Sequence, residues 1–248
     1  MRFDVITLFP ELFAPFLAAG ITRRAYESGL VDVHLHNPRD FATGNYRRVD
    51  DRPFGGGPGM VMMAEPLEAA LLSIRAQRGD VVPVVLFSPT GEVLRHESVQ
   101  EWAGSEGAIL VCGRYEGIDQ RFIDRYVDRQ ISLGDFVMSG GEIAGMALLD
   151  AVARLQPGVL SDEDSHHQDS FNPALDGLLD CPHYTRPEEW AGLTVPPVLL
   201  SGHHVRIESW RREQRLQLTA ARRPDVLERA RASGAISEAD ERLLGPSP

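Results

Sequence analysis

Four carboxylates, one arginine and a set of glycines share three turns near the middle of this 248-residue sequence. The turns read Phe87-Ser88-Pro89-Thr90-Gly91, then Gly113-Arg114-Tyr115-Glu116-Gly117-Ile118-Asp119, then Gly134-Asp135 running on to Ser139-Gly140-Gly141-Glu142. Glycine takes positive φ without penalty and lets a ligand approach the main chain closely, so such turns suit a small-molecule site. Their charge narrows the chemistry. Glu116, Asp119, Asp135 and Glu142 stand against a single base, Arg114. A phosphate cradle wants backbone amides backed by lysine or arginine. Neither a phosphate loop ending in Gly-Lys-Ser/Thr nor GxGxxG opening a helix occurs. An acidic, glycine-lined crevice suits a positively charged ligand better than a nucleoside triphosphate. S-adenosylmethionine, with a sulfonium and an ammonium group, has that character. The plain alternative is glycine turns joining the strands of any α/β domain.

Each turn ends a short apolar run, at 81–86, 108–112 and 129–133. Runs of this length bounded by turn residues predict buried strands of a parallel sheet, with ligands beyond their carboxyl ends. Strand and helix patterns alternate through residue 156. A strand is expected at 5–9, then a helix carrying Phe13, Phe16, Leu17 and Ile21, and a strand at 31–36. His34 and His36 share a face of that strand, which reads as half-buried sheet, not a metal pair. A glycine-rich loop fills 47–60, and helices are expected at 66–75 and 143–155. Residues 157–185 are polar, acidic and aperiodic, as a mobile connection would be. The remainder reads as helical: one helix at 207–220, one capped by Asp225 and ended by Gly234, and a last one opened by a Ser237/Asp240 capping box. The expected organisation is an α/β domain over 1–160, a linker over 161–185 and a helical domain over 186–248.

The net charge of −11 argues against nucleic acid until its distribution is considered. Residues 161–185 hold six acids and no arginine, whereas 206–223 hold six arginines against Glu208 and Glu213. There is no lysine, so every basic contact is a planar guanidinium able to fork onto phosphate or stack on a base. That cationic helix fits RNA binding, and equally a solvated helix face. Cys112 and Cys181 form neither a disulfide framework nor a metal-binding spacing, and no metal is expected. His166-His167 and His203-His204 read as solvated loop. No apolar run reaches membrane-spanning length and no signal pattern opens the chain, so the expected location is the cytoplasm, without membrane association.

The turn at 113–119, the segment 132–142 and Asp180-Cys181-Pro182-His183-Tyr184-Thr185-Arg186-Pro187 together resemble one family, the bacterial tRNA (guanine-N1)-methyltransferases of the SPOUT class. Residues 1–11, 55–60 and 150–160 match the same pattern, as do Asp169-Ser170-Phe171, Ser201-Gly202 and Trp210-Arg211, so the resemblance spans nearly the whole chain. It implies a SPOUT-type parallel sheet with a C-terminal trefoil knot, plus a small all-helical C-terminal domain. Sequence physics would not suggest the knot, since threaded chains are rare. It further implies a homodimer with active sites at the subunit interface, and a tRNA anticodon stem-loop touching both protomers. The implied reaction carries methyl from S-adenosylmethionine to N1 of the guanosine immediately 3′ of the anticodon.

Guanine N1 is protonated at neutral pH and becomes a nucleophile only when that proton leaves. A carboxylate can take it, and a guanidinium near O6 can stabilise the developing negative charge. The resemblance assigns these roles to Asp169 and Arg154. From the residues alone, Asp169 is a solvated charge in an acidic linker and Arg154 a cation at a helix C-terminus. A base on the linker fits ordering of that segment by tRNA. Implied cofactor contacts are Phe87, Ser88, Pro89 and Gly91; Gly113, Tyr115, Glu116 and Gly117; Leu133, Gly134, Asp135, Phe136, Val137 and Met138; and Gly140 with Gly141. Ser170 and Asp180 would contact RNA, and Arg211, Arg212 and Arg215 would grip phosphates in a salt-sensitive way. Flipping an anticodon-loop base is cheap because it is already unpaired. Two departures stand out. Gly140-Gly141-Glu142-Ile143-Ala144-Gly145 lacks the proline usual after Gly-Gly-Glu-Leu, and about three extra residues lie near Asn172-Pro173-Ala174. Alternatives are a SPOUT methyltransferase acting on another RNA site and a non-catalytic RNA-binding protein on the same fold.

Overall fold

The computed structural model describes residues 1–160 and 165–245. The chain divides into two compact units, Met1–Ser161 and Asp162–Pro248. The first is mixed α/β. Its order is β1 (Arg2–Ile6), α1 (Phe13–Leu17), α2 (Arg23–Glu27), β2 (Asp32–His36), β3 (Asp50–Asp51), β4 (Val61–Met62), α3 (Ala64–Arg78) and β5 (Val84–Val93). Then come α4 (His96–Ala103), β6 (Gly107–Val111), α5 (Gln120–Tyr126), β7 (Arg129–Ser132) and α6 (Glu142–Ala153). Among the described residues, five strands pair in the order β2-β1-β6-β5-β7, every pair parallel.

Parallel pairing needs crossover helices, and these cover both faces of the sheet. Period-two alternation then splits the apolar side chains into two cores. Phe3, Val5, Val85, Ala108 and Leu110 pack with Phe13, Leu148, Leu149 and Val152 on one face. Ile6, Val84, Leu86, Ile109 and Val111 pack with Leu67, Leu71 and Ile74 of α3 and Phe122 of α5 on the other. All five residues of β6 are buried, which is why this central strand reads as an unbroken apolar run.

Two expectations about the strands change. The first strand starts at Arg2 and ends at Ile6, earlier than the 5–9 run. Residues 87–91 are not a turn: β5 continues through them to Val93, with a register jump against β7 between Phe87 and Glu92. Gly91 is there for space. A Cβ on it would lie 2.5 Å from the carbonyl carbon of Gln130 and the amide nitrogen of Ile131, so two backbones meet where a side chain cannot fit.

One polar group sits inside this apolar frame. Asp4 of β1 is fully buried and accepts 2.8 Å hydrogen bonds from Arg2, from His36 of β2 and from Arg78 of α3. Arg78 also donates to the Arg2 carbonyl at 2.9 Å and to Asp80 at 2.8 Å. Burial alone would raise the pKa of Asp4. The donors outweigh it and hold this carboxyl well below the usual carboxylate range. The cluster pins β1, β2 and the end of α3 together.

The second unit contains α7 (His204–Arg222), α8 (Pro224–Ala232) and α9 (Glu238–Leu244), with a short antiparallel hairpin of β8 (Glu189–Trp190) and β9 (Leu193–Thr194). Its interior gathers Leu178, Leu216, Leu227 and Ala230. The stretch read as a mobile connection therefore does more than connect: Leu175, Leu178 and Cys181 are buried. Residues 161–164 of its acidic run lie outside the described residues. The Ser237/Asp240 capping box opens α9 as expected. Asp225 does not cap α8; it lies inside the first turn and pairs with Arg223 and Arg229.

Removing Asp4 leaves the buried Arg78 guanidinium without its central partner. Asp4→Ala should cost about 3–5 kcal/mol in urea unfolding at neutral pH. The lowered native pKa fixes the sign: the contribution is full above the ordinary value of 3.8 and is lost as pH falls through and below it. The gap between native and variant midpoints should accordingly hold at pH 5 and close in stronger acid.

Candidate functional site

At the carboxyl ends of β6 and β7, against the middle of β5, lies a cavity of about 490 Å³. That is within the roughly 300–1,000 Å³ typical of small-molecule sites. β5 contributes Phe87, Ser88 and Pro89 to its wall. The loop after β6 contributes Gly113, Arg114, Tyr115, Glu116 and Gly117, and the loop after β7 contributes Leu133, Phe136, Val137, Met138, Gly140 and Gly141. Three expected contacts are not wall residues. Gly91 is used against the backbone of β7, and neither Gly134 nor Asp135 lines the cavity. Sequence reasoning missed Gln120 and Ile123 of α5, and Gln130 with Ile131 of β7. Their only signal was position, next to a strand end.

The two long loops are held against each other. The Gly141 amide donates to the Gly113 carbonyl at 2.9 Å, and Arg114 and Gly140 form an antiparallel bridge. A Cβ on Gly141 would lie 2.9 Å from Cys112 Cα, and one on Gly140 would run into the Arg114 and Glu142 side chains. Both glycines are thus demanded by close approach. Glu142, at the start of α6, is 1% exposed. Thr7 Oγ1, just past β1, donates to its Oε1 at 2.8 Å, and Arg114 Nε lies 2.9 Å from its Oε2. That second contact is an ion pair without the alignment of a good hydrogen bond. Arg114 Nη1 also donates to the Ser139 carbonyl at 3.2 Å, and the guanidinium lies 4.4 Å from the Phe9 ring centre.

These contacts correct the reading of a four-carboxylate crevice. Glu142 is buried and matched by Arg114. Asp119 caps α5, accepting from the Arg121 amide at 3.0 Å, and the Arg121 guanidinium lowers its pKa. Asp135 is exposed and is not among the wall residues. Glu116 is the single member of the four on the wall. Its amide donates to the Met60 carbonyl at 3.0 Å, and Gly59 packs directly on its carboxylate, so the glycine-rich loop comes up beside it.

Arg154 ends α6 in the first unit, and Asp169 lies near the start of the second; each is half-buried. Ser170 Oγ accepts from the Asp180 amide at 2.9 Å. Burial tends to raise the Asp180 pKa, but the Cys181 amide, His183 and Arg215 together bring it below the ordinary value. The three arginines expected to grip phosphate differ. Arg215 is buried, 2.8 Å from Glu208 and 3.6 Å from Asp180. Arg212 forks onto Asp240 with two 3.0 Å bonds and reaches Asp176 at 2.7 Å. Both guanidiniums are consumed inside the unit. Arg211 stays near the surface, 3.7 Å from Glu208.

An open parallel sheet with a glycine-walled cavity beyond its strand ends defines a small-ligand-binding α/β protein. The model of the tRNA (guanine-1)-methyltransferase TrmD family matches residues 1–229. The chain is 74% identical to the tRNA (guanine-N1)-methyltransferase of Albidiferax ferrireducens, with 98% of each chain covered. Against the same enzyme of a Polaromonas species identity is 71%, over 98% of this chain and 96% of the other; against that of Bordetella pertussis it is 58%, with the same coverage. The chain belongs to the tRNA (guanine-N1)-methyltransferase family.

The Arg114–Glu142 pair should be energetically coupled. Arg114→Met, Glu142→Leu and the double variant, compared by denaturant unfolding, should give a coupling of about 1–3 kcal/mol, with the double variant less damaged than the sum of the singles. Simple additivity would show that the loops hold each other by backbone contact alone.

Proposed function

We propose that this chain transfers a methyl group from S-adenosylmethionine to N1 of the tRNA guanosine immediately 3′ of the anticodon. The observation that carries the reading is the 490 Å³ cavity walled by the strand-end loops, in a chain that matches the family across residues 1–229. The wall suits such a donor. Phe87, Leu133, Phe136 and Met138 offer apolar surface for an adenine ring, glycine backbone offers amides and carbonyls, and Glu116 offers one counter-charge for an ammonium. When bound, S-adenosylmethionine supplies an electrophilic methyl on a sulfonium.

The residues of the chain supply the rest. Asp169 takes the N1 proton, so that the ring nitrogen attacks as its electron pair is freed. Arg154 stabilises the negative charge that develops on O6. The reading also includes a trefoil knot, supported by the contact of the loops after β6 and β7 at Gly113, Gly140 and Gly141. It includes a homodimer, a cytoplasmic setting, and a connecting segment over 161–185 that carries the base. No helix among the described residues is long and apolar enough to cross a membrane.

Transfer of labelled methyl to transcribed tRNA carrying guanosine or adenosine at the target position tests the reading: guanosine should be labelled and adenosine not. Asp169→Asn should lower turnover at least 100-fold while donor affinity stays within twofold; normal turnover would remove Asp169 from the chemistry. Arg211→Gln should reduce the slope of log affinity against log salt by about 0.7–0.9, the loss of one phosphate contact. Neutralising Arg212 or Arg215 should instead lower the melting temperature, because their partners are carboxylates of the same unit.

A further inference from the structure

The second unit holds a small cavity that the methyl-transfer chemistry leaves unused. It measures about 230 Å³, and Cys181, His183 and Tyr184 face Ile207, Trp210 and Arg211 of α7 across it. That volume is below the range for drug-sized ligands, so one ring system fits and a whole cofactor does not. The Tyr184 and Trp210 rings lie 6.3 Å apart and tilted by 58°, an inclined pair and not a face-to-face stack. Tyr184 is 49% exposed, open for so large a ring.

The polar features agree. Among the described residues no carboxylate lines the cavity. Arg211 holds only a loose ion pair, 3.7 Å from Glu208. The wall itself is fixed: Asp180 accepts from the Cys181 amide at 2.7 Å and from His183 Nε2 at 2.8 Å, with Arg215 3.6 Å away. The Asp180 carboxylate is therefore occupied in shaping this wall. Burial, followed by the nearby Asp180 charge, raises the Cys181 thiol pKa, so the floor is neutral at physiological pH. Two aromatic rings inclined to each other and a neighbouring guanidinium are the features on which unpaired bases stack, whichever base is present.

We infer that this cavity is a nucleobase subsite: it takes one unpaired base of the RNA substrate against Tyr184 and Trp210, with Arg211 on the adjoining phosphate. The inference rests on the tRNA methyltransferase reading and deepens it.

The test pairs protein variants with an abasic scan. An anticodon stem-loop RNA is made with an abasic sugar at each unpaired loop position in turn, the methylated guanosine excepted. Binding is measured with the full chain and with Tyr184→Leu and Trp210→Leu. Each variant should raise the RNA Kd about tenfold while donor Kd stays within twofold. One abasic position should weaken the native chain by the same factor and cost nothing further in the variants, because base and ring have lost the same contact. Abasic and variant effects that multiply at every position would overturn the subsite. Should Trp210→Leu melt early, the half-exposed Tyr184 carries the cycle on its own. Absence of methyl transfer from the native chain to any tRNA would sink the parent reading, whereas intact transfer with multiplying effects sinks the subsite alone.

Discussion

The cavity depends on one buried charge pair. A parallel sheet delivers its loops to the same edge, but nothing in strand pairing decides how those loops lie on each other. Here Glu142 receives Thr7 from beyond β1 and Arg114 from the loop after β6, while Arg114 reaches Ser139 in the loop after β7. Three segments are thereby fixed through two side chains. A buried carboxylate is costly unless paired and hydrogen-bonded, so the arrangement favours the one loop geometry in which both partners are met. The glycines at 140 and 141 then follow, since any side chain there would occupy the space of the pair or of Cys112.

The second unit shows the same use of arginine with a different outcome. With no lysine in the chain, guanidinium groups must serve both internal pairing and any contact with RNA. Arg212 and Arg215 are committed to Asp240, Asp176, Glu208 and Asp180, which hold α7 against α9 and the 176–183 stretch. Forked geometry suits this work, because two parallel bonds to one carboxylate fix orientation as well as distance. A count of charges along a helix does not distinguish a guanidinium spent in this way from one left at the surface.

Local signals were readable in the sequence and long-range ones were not. The capping box at Ser237 and Asp240 is complete within four residues, and the apolar runs of the parallel sheet are complete within six. The partner of Glu142, by contrast, lies 135 residues away at Thr7, and that of Arg212 lies 28 away at Asp240. The charge of the crevice was overstated for two reasons: the contacts that neutralise Glu142 are tertiary, and Asp119 is spent locally on Arg121. Gly91 was misread for another reason: a glycine required by close approach and one required by positive φ are spelled alike. The β8–β9 hairpin has two-residue strands, too short to show a period. Roles for Asp169 and Arg154 came from family resemblance alone, because an acidic linker and a helix end have ordinary explanations for both.

A wall with one carboxylate is better suited to the proposed reaction than a wall with four. As methyl leaves a sulfonium, positive charge at sulfur diminishes toward the transition state. Carboxylates crowded around that sulfur would stabilise the starting state more than the transition state and so raise the barrier. Binding energy that does not change along the reaction is free of this penalty. In the proposed reading, apolar contact from Phe87, Leu133 and Met138, backbone polar groups and a single acid at Glu116 would supply binding of that kind. Neutralising Glu142 with Arg114 and keeping Asp135 off the wall is thus consistent with the proposed chemistry, in which negative charge develops on the purine and calls for a guanidinium.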